Sequence, residues 1–145
     1  MAKTIYVLNG PSMNLLGKRE PKVYGRDTLE QVRRACEKKA KALGLGLEFR
    51  QSNHEGVLVD WIQEARVKSA GIIINPAGFT STSIAILDAL LASEKPVIEV
   101  HLTNIHRREE FRHKSFVSLA ARGVICGLGP IGYLLALEAL ADLVK

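Results

Sequence analysis

Short apolar runs alternate with amphipathic stretches along the whole chain. The runs at 4–8, 45–50, 71–75, 96–101 and 123–127 predict five β-strands. The run at 71–75 (GIIIN) is apolar over its first four residues, as expected for a parallel strand that is covered on both faces. Between the runs, apolar residues recur at helical spacing. The pattern therefore predicts a regular alternation of strands and helices.

Polar residues at fixed spacing predict where the helices begin. Asp27–Glu30 and Ser52–Glu55 have the spacing of capping boxes, and further helices are predicted at 82–93 and 130–144. In the helix at 82–93, Asp88 falls on one stripe with Ile84 and Leu91. We therefore expect a buried carboxylate that needs a partner, either an arginine or a ligand hydroxyl.

Five β units separated by helices predict one α/β domain over residues 1–145. The expected architecture is a three-layer sandwich around a five-stranded parallel sheet, in the flavodoxin-like order 2-1-3-4-5. Ligands of such sheets bind beyond the carboxyl ends of the strands, near the point where the strand order reverses. This rule directs attention to residues 9–25, 75–83, 101–108 and 127–132.

Composition narrows the class of protein. The chain has 145 residues, of which 47% are hydrophobic and 24% charged, which is typical of a soluble globular domain. Neither a signal peptide nor a membrane span is predicted. Cys36 and Cys126 lie far apart in apolar patterns, which favours buried free thiols in the reducing cytoplasm over a disulfide.

The net charge of +5 suits a small anionic substrate better than a nucleic acid. The basic residues are scattered, and pairs such as Arg107–Arg108 are interpreted as solvent-facing charges on helices. No aromatic residues interleave with them to stack on bases. We therefore expect neither a nucleic-acid partner nor a membrane partner.

Two further patterns are interpreted structurally. The segment 127–132 (GLGPIG) spells G-x-G-x-x-G after a strand, but no strand or ribose-binding acid follows it before the chain ends at residue 145. A tight strand-to-helix turn explains its glycines. The four histidines have no common metal-ligand spacing, and no metal site is predicted.

Two places do suggest chemistry. His101 ends a strand at the predicted ligand edge, and Glu99 lies two residues earlier on the same face, so the carboxylate would fix the tautomer of a general acid. An ordinary polar strand end is the alternative. The loop 9–25 is far longer than the usual connection of about 2–6 residues. In it, Arg19 could stabilise a phenolate at Tyr24, although without other information solvated loop charges are the favoured explanation of both residues.

Six stretches together carry a resemblance to a known family. They are NGPSMNLLGKREPKVYG, RQSNHEG, DWIQEA, IIINPAGFTSTS, IEVHLTNIHRREEFRHKS and GVICGLGPIGYLLALEAL. From about residue 4 to its end the chain resembles type II 3-dehydroquinate dehydratase. The resemblance implies a flavodoxin-like fold, a dodecamer built from trimers, and no cofactor or metal. It also implies dehydration of 3-dehydroquinate to 3-dehydroshikimate, in shikimate biosynthesis or quinate breakdown.

The resemblance also implies roles for individual residues. Tyr24 matches the family's base, Arg19 its activator on a mobile lid at about 18–25, His101 the acid and Glu99 the partner of that acid. The remaining matches are substrate contacts: hydroxyl contacts at Asn75 and Asp88, backbone amides at Leu102 and Thr103 for the carboxylate, and a further polar contact at Arg112.

Three positions depart from the family pattern. Ser12 replaces an asparagine that positions a water against the enolate oxygen. The motif usually reads NPGAYTHTS and here reads NPAGFTSTS, so Ser81 stands where a substrate-binding histidine is expected. Leu87 replaces an arginine. These changes leave two alternatives open, a paralogue acting on a related cyclic hydroxy-acid and a non-catalytic binding protein. A binding protein would not need Tyr24, Arg19 and His101 together.

Overall fold

The computed structural model describes residues 2–145 and contains one parallel sheet. Its strands are β1 (Thr4–Asn9), β2 (Gly46–Gln51), β3 (Gly71–Asn75), β4 (Val97–His101) and β5 (Gly123–Cys126). Every strand pair is parallel, and the spatial order is β2-β1-β3-β4-β5. The predicted flavodoxin-like sheet is confirmed, with boundaries that shift by one residue at several ends.

Five α-helices and five 3₁₀ turns connect the strands. The helices are α1 (Pro21–Tyr24), α2 (Leu29–Ala42), α3 (Glu55–Lys68), α4 (Ile84–Ser93) and α5 (Ile131–Leu143). The 3₁₀ turns are Met13–Leu15, Ala77–Ser81, Ile105–Arg107, Glu110–Arg112 and Val117–Leu119. No helix in residues 2–145 has both the length and the apolar character needed to cross a membrane.

The two faces of the sheet carry separate cores because side chains alternate along each strand. On one face, Ile5 and Val7 of β1 pack in a core with residues of α2 and α5. On the other, Tyr6 and Leu8 pack with residues of α3 and α4. The domain is therefore the predicted sandwich of two helical layers around a sheet.

The predicted helix starts need correction at three places. The cap of α2 is Thr28, whose hydroxyl accepts from the Gln31 N–H at 3.2 Å while the Gln31 side chain accepts from the Thr28 N–H at 2.8 Å. The predicted box at 27–30 is thus displaced by one residue. Ser52 does not cap α3, since its hydroxyl accepts from the His54 N–H at 3.0 Å, ahead of the helix. The helix predicted at 82–93 begins at Ile84 and is capped by Ser83.

The predicted burial of Asp88 is wrong. Asp88 is exposed, and the stripe to which it belongs faces outward, with Ile84 56% and Leu91 55% exposed. The inward face of α4 consists instead of Ile86 and Leu90. A single chain therefore leaves an apolar face of α4 uncovered, with one carboxylate in its middle.

Both cysteines are free, but only Cys36 is buried, whereas Cys126 is partly exposed at the end of β5. The glycines that follow Cys126 form the predicted turn. Gly127 has φ +90° and a Cβ there would lie 2.9 Å from Cβ of Asn104, while Gly129 has φ +68°. Side chains rarely tolerate these positive φ values, which explains why glycine occupies both positions.

Candidate active site

A cavity of about 480 Å³ lies at the carboxyl ends of β1, β3 and β4. The register places Asn9 of β1 beside Asn75 of β3, at the point where the strand order reverses. The cavity is lined by most of the residues predicted from sequence, namely Ser12, Arg19, Tyr24, Asn75, Ser81, His101, Leu102, Thr103 and Arg112. The topology therefore brings distant segments of the chain to one site.

The loop after β1 forms one wall of this cavity. Arg19 Nη2 donates a hydrogen bond of 2.9 Å to the Tyr24 phenolic oxygen, and its Cζ lies 4.5 Å from the centre of the ring. The guanidinium of Arg108 lies over the same ring at 5.0 Å. Two guanidinium groups thus flank one phenol ring, and one of them donates to its oxygen. This arrangement makes Tyr24 the best placed proton acceptor in the cavity.

The end of β4 supplies a buried imidazole–carboxylate pair. His101 is 5% exposed and lines the cavity, and its Nε2 is hydrogen-bonded to Glu99, which has no exposed surface. Glu99 itself does not line the cavity. A carboxylate in this position accepts a hydrogen bond from Nε2–H and leaves the other ring nitrogen to face the cavity. His101 is therefore suited to deliver a proton.

Glu99 is surrounded by donors. Its Oε2 also accepts from the Ser115 hydroxyl at 2.9 Å, and its Oε1 accepts from the Ser118 hydroxyl at 2.6 Å. Burial opposes ionisation of Glu99, yet hydrogen bonds from His101, Ser118 and Ser115 bring its pKa below the ordinary value. The carboxylate is therefore charged despite its depth in the fold.

A second buried chain of polar groups holds Asn75. The Asn75 amide donates to the Tyr133 hydroxyl at 3.0 Å, and that hydroxyl donates to Asn9 Oδ1 at 2.6 Å. The side-chain oxygen of Asn75, Oδ1, accepts from the Ala77 N–H at 3.2 Å. Burial raises the pKa of Tyr133, so its hydroxyl stays protonated. These hydrogen bonds therefore hold the Asn75 side chain in a fixed orientation.

Two cavity residues have left-handed backbone conformations. Ser12 has φ 67°, and its N–H donates to Asn53 Oδ1 at 3.0 Å. Ala77 has φ 51°, at the position where the family pattern has glycine. The neighbouring Gly78 does not have a positive φ. The reversed Ala-Gly order thus puts a methyl group where the backbone favours none.

The cavity is electropositive. Arg19, Arg108 and Arg112 line it, and no carboxylate does so among the described residues. Leu102 and Thr103 follow β4 directly, and no loop or side-chain oxygen in residues 2–145 accepts a hydrogen bond from their N–H groups. Free amides and guanidinium groups suit an anionic ligand of small size.

One predicted site residue lies elsewhere. The exposed Asp88 is not among the residues that line the cavity of its own chain. A substrate contact by Asp88 stays a prediction, and within one chain the cavity does not include it.

Other residues of the site were missed from sequence. Arg108 was interpreted as a solvent-facing charge on a helix, but it is half-buried and follows a short 3₁₀ turn. Its place in the segment 101–108, at the ligand edge, was the available signal. Three more residues do not line the cavity but bind side chains of the site: Tyr133 binds Asn75, and Ser115 and Ser118 bind Glu99. No sequence pattern marked them, because their partners lie on other strands.

Comparisons with known proteins agree with this geometry. A sequence model of the family described as Dehydroquinase class II matches residues 3–141. The chain is 59% identical over its full length to 3-dehydroquinate dehydratase of Phenylobacterium zucineum, all of which is covered. It is 60% identical to that of Chelativorans sp., over 97% of this chain and 98% of the relative. The crystal structure of type II dehydroquinase from Propionibacterium acnes superimposes with a TM-score of 0.94 and 45% identity, covering 98% of both chains.

Proposed function

This chain belongs to the class II dehydroquinase family, and from that premise we propose that its cavity dehydrates 3-dehydroquinate to 3-dehydroshikimate. The observation that carries the proposal is the juxtaposition of two groups at one cavity, Tyr24 held by Arg19 and His101 held by Glu99. The full-length relatives favour this activity over a related cyclic hydroxy-acid as substrate, and over binding without catalysis.

Tyr24 is the proposed base of the first step. Its oxygen takes the proton from the carbon beside the ketone, and the electron pair of that C–H bond forms an enolate. Arg19 favours the phenolate by donating to the same oxygen. Ser12, across the cavity wall, is proposed to hold a water against the enolate oxygen, in the place of the family's asparagine.

His101 is the proposed acid of the second step. The enolate electrons re-form the ketone and shift to make the ring double bond, which expels the hydroxyl on the neighbouring carbon. A hydroxide is a poor leaving group, so His101 protonates the oxygen as it departs and water is released. Tyr24 has gained one proton and His101 has lost one, and exchange with solvent restores both.

The rest of the cavity is proposed to hold the substrate. The free amides of Leu102 and Thr103 suit its carboxylate, with Arg112 as a further polar contact. Asn75 and Ser81 are proposed to contact hydroxyl groups. Residues 18–25, which contain Arg19 and Tyr24, are proposed to close over the substrate as a lid and exclude water.

We also propose that the chain assembles as a dodecamer built from four trimers. The uncovered apolar face of α4 supports an interface between copies, since such faces are seldom left in water. Because Asp88 lies on this face and outside its own cavity, a neighbouring copy has to supply it if Asp88 contacts the substrate. Cytoplasmic shikimate biosynthesis is the proposed setting, with quinate breakdown as its alternative.

A direct assay tests the proposed activity. The purified protein is incubated with 3-dehydroquinate, and the conjugated enone of the product is followed by its ultraviolet absorbance. We expect an increase in absorbance proportional to enzyme concentration. No increase with folded protein would refute the dehydratase assignment, and a change with a related hydroxy-acid alone would support the alternative substrate.

A further inference from the structure

The Glu99 carboxylate accepts hydrogen bonds from three side chains, two of which have no part in the steps above. Ser115 and Ser118 bind its two oxygens at 2.9 Å and 2.6 Å, and His101 binds Oε2 as well. We propose that Ser115 and Ser118 are positioning residues that hold Glu99 as an ionised acceptor, so that the proton of the pair stays on His101. This inference rests on the proposed function of His101 as the acid.

The local structure fixes the direction of these hydrogen bonds. Ser115 Oγ accepts from the Ser118 N–H at 3.1 Å, which leaves its own hydrogen to point at Glu99. The segment that carries both serines is tied to the cavity wall, because the Phe116 N–H donates to the Thr80 carbonyl at 3.0 Å. Ser118 lies in the turn Val117–Leu119 and Ser115 lies just before it, so both hydroxyls are presented to Glu99 by one folded segment that is anchored beside the site.

These donors decide where the proton resides. A neutral carboxyl group needs one of its oxygens to donate, but each oxygen of Glu99 already faces at least one donor. Hydrogen bonds donated by neighbouring hydroxyls are stronger to a carboxylate than to a neutral carboxyl group, so protonating Glu99 would weaken them in a site with no exposed surface. With both serines in place, transfer of the Nε2 proton from His101 to Glu99 is disfavoured and Glu99 keeps its negative charge. That charge favours a doubly protonated His101 ring, whose other proton, on Nδ1, is the one delivered to the cavity.

The surroundings of Glu99 offer no competing charge. Its neighbours in register are Ile74 on β3 and Val124 on β5, and residues 115–118 present the two serine hydroxyls to it. Among the described residues, His101 is the titratable group whose charge acts on Glu99. Burial favours the neutral carboxyl group, and hydrogen bonds from His101, Ser118 and Ser115 oppose it. Removing the serines should therefore raise the pKa of Glu99.

The test compares Ser115→Ala, Ser118→Ala and the double variant with the wild-type protein. Steady-state kinetics with 3-dehydroquinate are measured across the acid range. Infrared absorption of protonated carboxyl groups is recorded over the same range, and the Glu99 band is assigned by its loss in Glu99→Gln. We expect the double variant to lose kcat about tenfold near neutrality, with KM changed less than about twofold. Its acid limb and its carboxyl band should both move to higher pH.

Two controls separate this role from a merely structural one. Ser118→Thr keeps the hydroxyl and should restore the wild-type pH profile. Ser69→Ala removes another buried serine, whose hydroxyl donates to the Ala65 carbonyl on α3, and should leave the profile unchanged. A folded double variant whose band and acid limb stay at the wild-type pH would overturn the proposal. If the double variant does not fold, Ser118→Ala decides alone. The infrared titration needs no turnover, so it gives a result even if the dehydratase assay fails.

Discussion

The guanidinium of Arg19 donates a hydrogen bond of 2.9 Å to the phenolic oxygen of Tyr24, five residues further along the same loop. Both residues belong to the segment around the single helical turn Pro21–Tyr24, which is flanked by positive φ values at Glu20 and Gly25. The Tyr24 ring also packs against the core on this side of the sheet. Local backbone geometry and this packing together fix the distance between the cation and the phenol.

Tyr24→Phe should abolish turnover and leave substrate binding nearly unchanged, because the ring remains and only the proton acceptor is lost. Steady-state kinetics measure kcat and KM for 3-dehydroquinate. Tyr6→Phe is the matched control, since the Tyr6 hydroxyl donates to Glu64 away from the cavity. If Tyr24→Phe kept more than about a tenth of kcat, which is a barrier change of about 1.4 kcal/mol, another base would be at work.

His101→Ala should slow loss of the hydroxyl more than removal of the proton. The base is on another segment of the cavity wall and is untouched, so the enolate still forms and reverts. We expect the hydrogen beside the ketone to exchange with deuterated solvent, as followed by NMR of the substrate, while little product appears. Complete loss of exchange in a folded variant would contradict a stepwise elimination.

Restoring the family residues at Ser12 and Ser81 should improve the enzyme in two separate ways. Ser12→Asn should raise kcat, because asparagine accepts the left-handed conformation and orients the water more rigidly; a full oxyanion contact contributes ~2.7–4 kcal/mol. Ser81→His should lower KM, because the longer side chain of histidine makes a stronger hydrogen bond to a substrate hydroxyl than serine does, a gain of ~0.5–1.5 kcal/mol. Kinetics of both single variants and the double variant test this independence. If neither reversion gave detectable turnover in folded protein, the related-acid alternative would become the better account.

Tyr133→Phe should destabilise the fold by ~1–3 kcal/mol, because Asn9 Oδ1 loses the hydroxyl that donates to it and the Asn75 amide loses the hydroxyl that accepts from it, both at buried sites. Denaturant unfolding measures this loss. The pKa of Tyr133 is raised from its ordinary value of 10.0. The contribution of its neutral form to stability is therefore present below pH 10 and is lost as the pH rises through the raised pKa. Wild-type stability should fall more steeply above pH 10 than that of the variant, and equal slopes would contradict this linkage.

Ala77 has the positive φ that favours glycine, whereas its neighbour Gly78 does not have a positive φ. Ala77→Gly should stabilise the protein or leave it unchanged, because relief of the left-handed conformation, ~1–2 kcal/mol, offsets the added chain entropy. Gly78→Ala is the matched change, since a Cβ at Gly78 meets nothing within 4 Å. Thermal unfolding of both variants and of the swap tests this. A marked loss of stability in Ala77→Gly would show that the methyl group packs usefully.

Much of the fold follows from the apolar runs. All five strands and their order could be predicted, because buried parallel strands such as β3 have few polar positions to confuse the pattern. The start of α2 was misplaced because Glu30 and Gln31 are both able to close a capping box, and only the side-chain contacts decide between them.

The site could be predicted less well where one sequence pattern is compatible with two different structures. The stripe of Ile84, Asp88 and Leu91 has the period of a core face, but a face that would meet another copy has the same period. Arg108 was missed because a pair of arginines next to a helix is usually solvated. Ser115 and Ser118 bond to Glu99 across 16 and 19 residues, a separation that no local pattern records.

The proton acceptor and the proton donor sit on parts of the molecule with unequal resistance to local unfolding. His101 and Glu99 belong to a buried strand, whereas the loop of Tyr24 exposes Lys18, Lys22 and Arg26 to solvent. A protease that cuts after basic residues can sever this loop without touching the sheet. Heat can likewise fray the single turn of α1 before the core melts. We therefore expect inactivation and denaturation to be distinct events, with activity the first to be lost.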